Sequence, residues 1–310
     1  LNLHSRGAAG ALAGFPPDTL RQLAAEQPPA EALDAAAARL HLTPSAVSQR
    51  LKTLERQVGR VLLERTKPAR ATAAGLAVVR YARQLSLLEH DVLAELGDPE
   101  AGRVSVPLAV NADSLATWFL DPLARLSRTR PVVFELHRDD QDFTAGLLES
   151  GAVMAAVTSR ADPVAGCRVV PLGAMRYEAV ATPGFVAAWL PDGPFAPALE
   201  RAPVVDFDRR DDLQTGWLIA MGASPTAPPR HYVPSSNDFA RAVRLGLGWG
   251  LLPQFQSAAA VQRGDLVHLG GAPADVPLYW QQWNLGSPLL DAIAADIVDE
   301  GRRVLAASTA

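Results

Sequence analysis

The sequence predicts three parts in series: an α+β winged helix-turn-helix, a long helix, and a two-lobed α/β body. Three observations carry this. A capped helix with a basic polar face opens at Thr43, an apolar seam of nearly three heptads runs from Val78 to Val92, and strands alternate with helices from Arg103 onward. The 310 residues are enough for two or three domains, each with its own core. With 48% apolar and 20% charged residues the composition is that of a soluble globular protein. No stretch reaches the roughly 18 uninterrupted apolar residues of a membrane span, so no membrane partner is expected. The single cysteine, Cys167, excludes an internal disulfide and a cysteine metal cluster, and the expected compartment is the cytoplasm.

Residues 1–14 are Ala/Gly-rich without a continuous apolar core and read as a disordered tail rather than a signal peptide. Residues 15–71 form the predicted head. Pro17 to Glu26 reads as a short helix ended by Pro28 and Pro29, and Ala30 to Leu40 as a second, with Leu33, Ala37 and Leu40 on one face. A tight turn at His41-Leu42 leads to a third. There Thr43 has a hydroxyl suited to capping and Pro44 fits the first helical position, where its missing N–H leaves nothing unpaired. Val47, Leu51, Leu54 and Val58 then make one apolar face, leaving Ser45, Ser48, Gln49 and Lys52 outward, with Arg50 beside them.

Such a face suits a DNA major groove, where Ser and Gln read base edges while Arg and Lys meet phosphates or guanine. An ordinary solvated helix has the same look. The charge distribution favours the first reading. Arg39 to Arg83 holds ten Arg/Lys against two acids, a net of +8, whereas the remaining 19 basic and 31 acidic residues net −12. A polyanion site needs local rather than global positive charge. Val61 to Leu63 reads as a strand, and the following turn carries Arg65, Lys67 and Arg70, as a wing lying along phosphates would.

Thr72 can cap a helix that runs to Leu96 and stops at Gly97-Asp98-Pro99, giving a linker over 72–97. Val78, Tyr81, Leu85, Leu88 and Val92 are spaced 3, 4, 3 and 4, a coiled-coil seam that predicts a dimer, with packing inside one chain as the alternative. The body, 101–310, reads in order as strand Val104–Val110, helix Ser114–Arg128, strand Val132–Leu136, helix Phe143–Ser150 and strand Val153–Val157. A second set follows: strand Tyr177–Ala181, helix Pro183–Leu190, strands Pro203–Phe207 and His231–Val233, helix Asn237–Leu245, strand Gly250–Leu252, strand Tyr279–Asn284 and helix Pro288–Ala306. This alternation predicts a mainly parallel sheet and two lobes with a cleft between them.

The chain resembles the LysR-type transcriptional regulators through Leu42 to Glu55, Gly59 to Leu63 and Thr72-Ala-Ala-Gly75. It is similar to their ArgP/LysG branch, regulators of basic amino-acid export, in Val110 to Trp118, Asp140 to Asp142 with Thr144, Val153 to Thr158, Gly173 to Tyr177, His231 to Ser236 and Gly246 to Trp249. The resemblance implies a periplasmic-binding-protein-like effector domain, with lobe I over 101–171 and 265–310 and lobe II over 172–264. It also implies a linker-helix homodimer or homotetramer, a double-stranded DNA operator, and RNA polymerase as a further partner. Lysine or arginine as the small-molecule effector, with no cofactor, comes only from the resemblance. The chain departs from the family in having Gln27-Pro-Pro-Ala-Glu-Ala-Leu33 where an aromatic usually follows a Gly-Ser turn, and Met154 where Asp is frequent.

A basic amino acid needs hydroxyl or backbone donors at its carboxylate and carboxylates at its cationic ends. Asn111, Asp113 and Ser114 fall where a strand gives way to a helix, the usual cleft edge. Asp113 or Asp142 is expected on the ammonium groups, and Ser235 and Ser236, before a helix, on the carboxylate. Gln141, Thr144, Thr158 and Trp249 complete the candidates, each Asp, Ser or Asn having helix capping as its plain alternative. No catalytic site is predicted: Gly246-Leu-Gly-Trp-Gly250 lacks dinucleotide spacing, the six histidines include no HExxH pair, and Ser224 lacks the second glycine of a nucleophile elbow. Two rivals stay open, a LysR-type regulator of another metabolite and an α/β solute-binding protein or enzyme with N-terminal assembly helices.

Overall fold

The computed structural model describes residues 42–64, 70–97, 102–138 and 144–305. The tail at 1–14, both predicted helices before His41, the wing cations Arg65 and Lys67, the side chains of Arg70 and Thr144, and the candidates Gln141 and Asp142 lie outside the described residues.

Helix α1, Pro44–Val58, begins as its sequence dictates, with Thr43 Oγ1 accepting from the Ala46 N–H at 3.2 Å. It stops where the Gly59 N–H returns to the Glu55 carbonyl at 2.8 Å. Its apolar stripe is buried, Leu54 completely, against Leu62, Val78 and Ala82. The predicted wing strand starts two residues later: β1 is Leu63–Glu64, paired antiparallel with β2, Arg70–Ala71. Glu55 explains the shift, because its Oε1 accepts from the Leu62 N–H at 2.9 Å and takes that donor out of the ladder.

Helix α2, Ala73–Glu95, is capped by Thr72, whose Oγ1 accepts from the Gly75 N–H at 3.0 Å. A Cβ on Gly75 would lie 2.1 Å from the Leu62 carbonyl oxygen, so this close approach of strand to helix admits only glycine. Of the predicted seam, Tyr81, Leu88 and Val92 are exposed and Leu85 is partly buried. Val78 is the correction: it is 5% exposed in the core of its own head and is not available to a partner.

The body holds β3 (Val104–Val110), α3 (Ala112–Thr117), α4 (Leu120–Thr129), β4 (Val132–Arg138), α5 (Thr144–Glu149), β5 (Ala155–Thr158), β6 (Cys167–Ala181), α6 (Pro183–Trp189) and α7 (Ala196–Leu199). It continues with β7 (Val204–Asp206), α8 (Leu213–Ala220), β8 (Arg230–Tyr232), α9 (Ser236–Arg244), β9 (Gly250–Pro253), α10 (Gln254–Arg263), β10 (Val267–His268), β11 (Ala274–Trp283) and α11 (Pro288–Val304). The predicted helix from Ser114 to Arg128 is two helices. The chain turns at Trp118-Phe119, which sets both rings into the core, edge to face at 5.7 Å.

The sheet is mixed, not mainly parallel. Seven strands run in the order β10-β6-β11-β5-β3-β4, with β9 also on β6. Only β3 with β4 and β5 is parallel in that sheet; β6 and β11 pair antiparallel from Tyr177↔Ala274 to Trp283↔Cys167. Alternation along the chain cannot reveal this, since β6 and β11 are long strands that pass through both halves, and β6 begins ten residues before the predicted Tyr177. A two-stranded parallel sheet, β7 with β8, builds the second half. No described helix is long and apolar enough to cross a membrane.

Candidate functional site

Two regions bring predicted residues together. The first is the outer face of α1, where Thr43, Ser45, Gln49, Arg50 and Lys52 are exposed and Ser48 is partly so. A shallow groove beside it is lined by Gln49, Lys52, Thr53, Arg56 and Arg60. Arg56 and Arg60 were not among the predicted contacts, although each adds a cation to the same edge. Arg56 is steadied by a 3.1 Å bond from Nη2 to Thr53 Oγ1. The face presents short polar groups flanked by guanidinium and ammonium charge, the chemistry that meets base edges and phosphates.

The second region is a cavity of about 420 Å³ between the β3–β5 half and the β7–β9 half. From the first half come Asn111, Asp113 and Ser159; β6 and β11 supply Tyr177 and Val276; the second half supplies Phe207, Asp208, Arg210 to Gln214, Phe239 and Gln256. Asn111 occupies the N-cap position of α3 but its side chain makes no capping bond. It is 2% exposed, and neither its Oδ1 nor its Nδ2 has a hydrogen-bond partner among the described residues. The Oε1 atoms of buried Gln214 and of Gln256 are likewise unpartnered. Buried amides are almost always satisfied, so these groups point to a polar occupant.

Asp113 joins the halves. Tyr177 donates to its Oδ2 at 2.7 Å, and Ser236 of the other half bonds the same carboxylate. Ser236 Oγ also accepts from Gln256 Nε2 at 3.0 Å, which makes a chain Tyr177–Asp113–Ser236–Gln256 across the cleft. Burial pushes the Asp113 carboxyl up from its ordinary value, against the lowering effect of the Ser236 and Tyr177 bonds. Burial raises Asp211 also, opposed by the Phe207 and Leu213 N–H groups that its carboxylate accepts and reinforced by Asp206 and Asp113 nearby. Asp208 differs: the Arg210 N–H, bonded at 2.7 Å, leads the effects that hold it below the usual carboxylate value. With Asp212, four aspartates line the cavity against one cation, Arg210, whose Nη2 lies 3.1 Å from Asp208. Such a surface attracts a cation and disfavours a net anion.

Several predicted residues lie elsewhere. Trp249 is fully buried against Trp217, ring centres 4.9 Å apart, where it serves the core. Thr158 is buried in β5 with its Oγ1 accepting from the Arg160 N–H at 3.2 Å, a local turn bond. Ser235 precedes α9 without a side-chain cap bond and is not among the cavity-lining residues, while Ser236 is engaged by Asp113 and Gln256 rather than left to receive a carboxylate. Ser114 is buried at the base of α3, its Oγ unpartnered. Sequence reading missed Tyr177 as a site residue, and Asp208, Arg210, Asp211, Gln214 and Gln256. The dense run Asp206 to Gln214, with four aspartates in nine residues, was the available signal. Among the described residues no group of His, Cys, Asp and Glu could hold a metal ion.

Comparison with known proteins gives one consistent result. Residues 30–76 match the family model described as bacterial regulatory helix-turn-helix protein, lysR family, and residues 98–300 match that of the LysR substrate binding domain. The chain is 46% identical over 261 residues to the HTH-type transcriptional regulator LysG of Mycobacterium tuberculosis, covering 84% of this chain and 85% of that protein. It is 42% identical over 267 residues to the lysine export transcriptional regulatory protein LysG of Corynebacterium glutamicum, covering 86% and 91%. Among solved structures it is similar to ArgP of Mycobacterium tuberculosis (TM-score 0.81, 43% identity, 94% and 98% covered). It is also similar to full-length LysG of Corynebacterium glutamicum with bound effector Arg (TM-score 0.73, 38% identity, 94% and 100% covered).

Proposed function

The chain belongs to the LysR family of bacterial helix-turn-helix transcriptional regulators, and on that premise we propose that it is a cytoplasmic homodimer whose interlobe cavity takes lysine or arginine and which controls a basic amino-acid exporter gene. The observation that carries the effector is the cavity itself, with four aspartates, one arginine, the Asn111 amide without partners and the unpartnered Oε1 of buried Gln214. The relatives named for lysine export and the related structure with bound arginine support the same choice.

In this reading Asp113 and Asp211 take the ligand's two cationic groups, since charge-assisted bonds to buried carboxylates are the strong ones. Arg210 exchanges Asp208 for the ligand's carboxylate, replacing the serines expected from sequence, and Asn111 and Gln214 complete the polar shell. Residues 15–71 are the DNA-binding module, 72–97 the linker, and 101–310 the effector domain, with lobe I at 101–171 and 265–310 and lobe II at 172–264. Tyr81, Leu85, Leu88 and Val92 are the dimer seam; Gln49 and Arg50 read bases while Lys52, Arg56 and Arg60 meet phosphates. Ligand binding shifts the regulator only as far as its affinities for the two lobe arrangements differ.

Calorimetry of the full chain tests this. Heat is expected with L-lysine or L-arginine and not with L-glutamate or L-leucine. No heat with any basic amino acid would remove the effector reading while leaving the family intact.

A further inference from the structure

Helix α2 belongs to two cores at once. Val78 and Ala82 are buried in the core of the DNA-binding head, while Leu87, 2% exposed, is buried in the main core of the effector domain. Between and beyond these anchors a row of polar side chains ties the helix to its own effector domain. Arg80 Nη1 donates to the Glu149 carbonyl at 2.9 Å, and its guanidinium lies over the Trp283 ring, 5.2 Å from the centroid. Arg83 Nη1 donates to the Gly151 carbonyl at 2.7 Å. About two turns beyond Arg83, Asp91 accepts from Ser287 Oγ and, at 3.2 Å, from the Leu289 N–H at the start of α11.

The receiving turn is shaped for this contact. Gly151 has φ +70, and a Cβ built there would lie 2.2 Å from Arg80 Cβ. No other residue admits the helix so closely. The Glu149 carbonyl that Arg80 engages is the last of α5, and the Gly151 carbonyl that Arg83 engages follows it in the same turn. Arg83 is partly buried, and burial lowers its tendency to stay charged, with Glu135 acting the other way. A guanidinium accepts such a position where its donors find oxygen partners.

We propose that Arg80 and Arg83, seated on the Glu149–Gly151 turn, and Asp91, on the start of α11, are positioning residues that lock the DNA-reading head to the β3–β5 half of its own effector domain. Head, α2 and that half then move as one body. The half built on β7–β9 is the part free to move against it when the cavity fills. The turn runs through residues 152–154 into β5, which is followed by the cavity-lining Ser159, so the clamp and the cavity lie at the two ends of one strand.

Two independent routes break the clamp, Gly151→Ala by displacing Arg80, and Arg80→Met with Arg83→Met by removing the bonds. Spin labels at Gln57→Cys on α1 and Arg128→Cys on α4, in a Cys167→Ser background diluted with unlabelled chain, report the distance within one chain and need no DNA. A single narrow distribution is expected in the parent and a broadened or displaced one in both variants. The second readout is binding to a duplex selected by the parent chain from random sequence, and to the same duplex with one half scrambled. The ratio of the two affinities should fall about tenfold as the second head loses its effective concentration, with half-site binding unchanged. A merely structural role would weaken both duplexes alike. An unchanged narrow distribution in the Arg80→Met, Arg83→Met variant, or an unchanged affinity ratio, overturns the clamp. Should no duplex be selected, the DNA-binding reading fails and the distances alone decide the clamp.

Discussion

The outer face of α1 and the interlobe cavity are both polar sites, yet they are built in opposite ways. The α1 face comes from one continuous segment, held by a local cap and one apolar stripe, and its functional groups are exposed by default. The cavity draws on residues near 111, 177, 211 and 256, buries Asn111, Tyr177 and Gln214 and half-buries Asp113 and Asp211, and leaves some of their hydrogen bonding unfulfilled. A local site is a property of a helix. A distributed one is a property of the packing of two halves: burial leads the effects on Asp113 and Asp211, and the local Arg210 N–H leads those on Asp208.

The largest effect should separate the two regions most cleanly. Asp113→Asn removes the carboxylate at the centre of the cleft-spanning chain, so affinity for arginine or lysine should fall roughly 10- to 100-fold by calorimetry, as loss of a charge-assisted bond implies. Operator binding without effector should be unchanged. A loss of DNA binding in this variant would show that cavity and head are not separable in the way their construction suggests.

Acidity sharpens the contrast. Burial raises the carboxyls of Asp113 and Asp211, with Asp208, Asp212 and Arg210 facing the same space, so a cationic ligand displaces protons there. Affinity for the ligand should therefore rise with pH above the ordinary carboxylate value of 3.8, by up to about tenfold per unit for each proton released, and then level off. The stability of the ligand-free protein moves the other way over that window, because the folded state keeps protons that the unfolded chain has lost. Titrations in buffers of different ionisation enthalpy measure the proton release, which should shrink in Asp113→Asn.

The reading face gives a smaller, salt-dependent effect. Lys52→Ala should weaken operator binding about three- to tenfold across sequences and reduce the salt slope by about one, whereas Gln49→Ala should relax preference at one base position. Neither should alter effector binding. The smallest effect is on the helix itself: Thr43→Ala removes the Oγ1 bond to Ala46 and should cost about 1 kcal/mol of head stability in denaturant titration.

How much was legible follows the same division. Thr43, Pro44, Thr72 and the Val47–Leu51–Leu54 stripe act within one or two turns, so capping and periodicity located α1 and α2 from residues alone. Asn111 and Asp113 were found because a strand-to-helix junction marks a cleft edge. The helix-start logic also selected Ser235, where α9 begins without a side-chain cap bond, and Trp249, offered as a further candidate, is a core ring. Tyr177 carried no local signal that set it apart from an ordinary strand tyrosine, and the acidic run Asp206 to Asp212 marked a charged loop without showing that it faces Asp113.

The sequence by itself determined the capped basic helix, the long linker with its apolar heptad spacing, and the charge split between head and body. These rest on near-neighbour sterics and hydrogen bonds, which the order of residues dictates. Only the tertiary structure decided that β6 and β11 run antiparallel through both halves, that Val78 faces inward while Leu88 and Val92 do not, and that Asp113, Tyr177, Ser236 and Gln256 form one chain across the cleft. Those outcomes depend on which distant surfaces exclude water together, and no single segment contains that information.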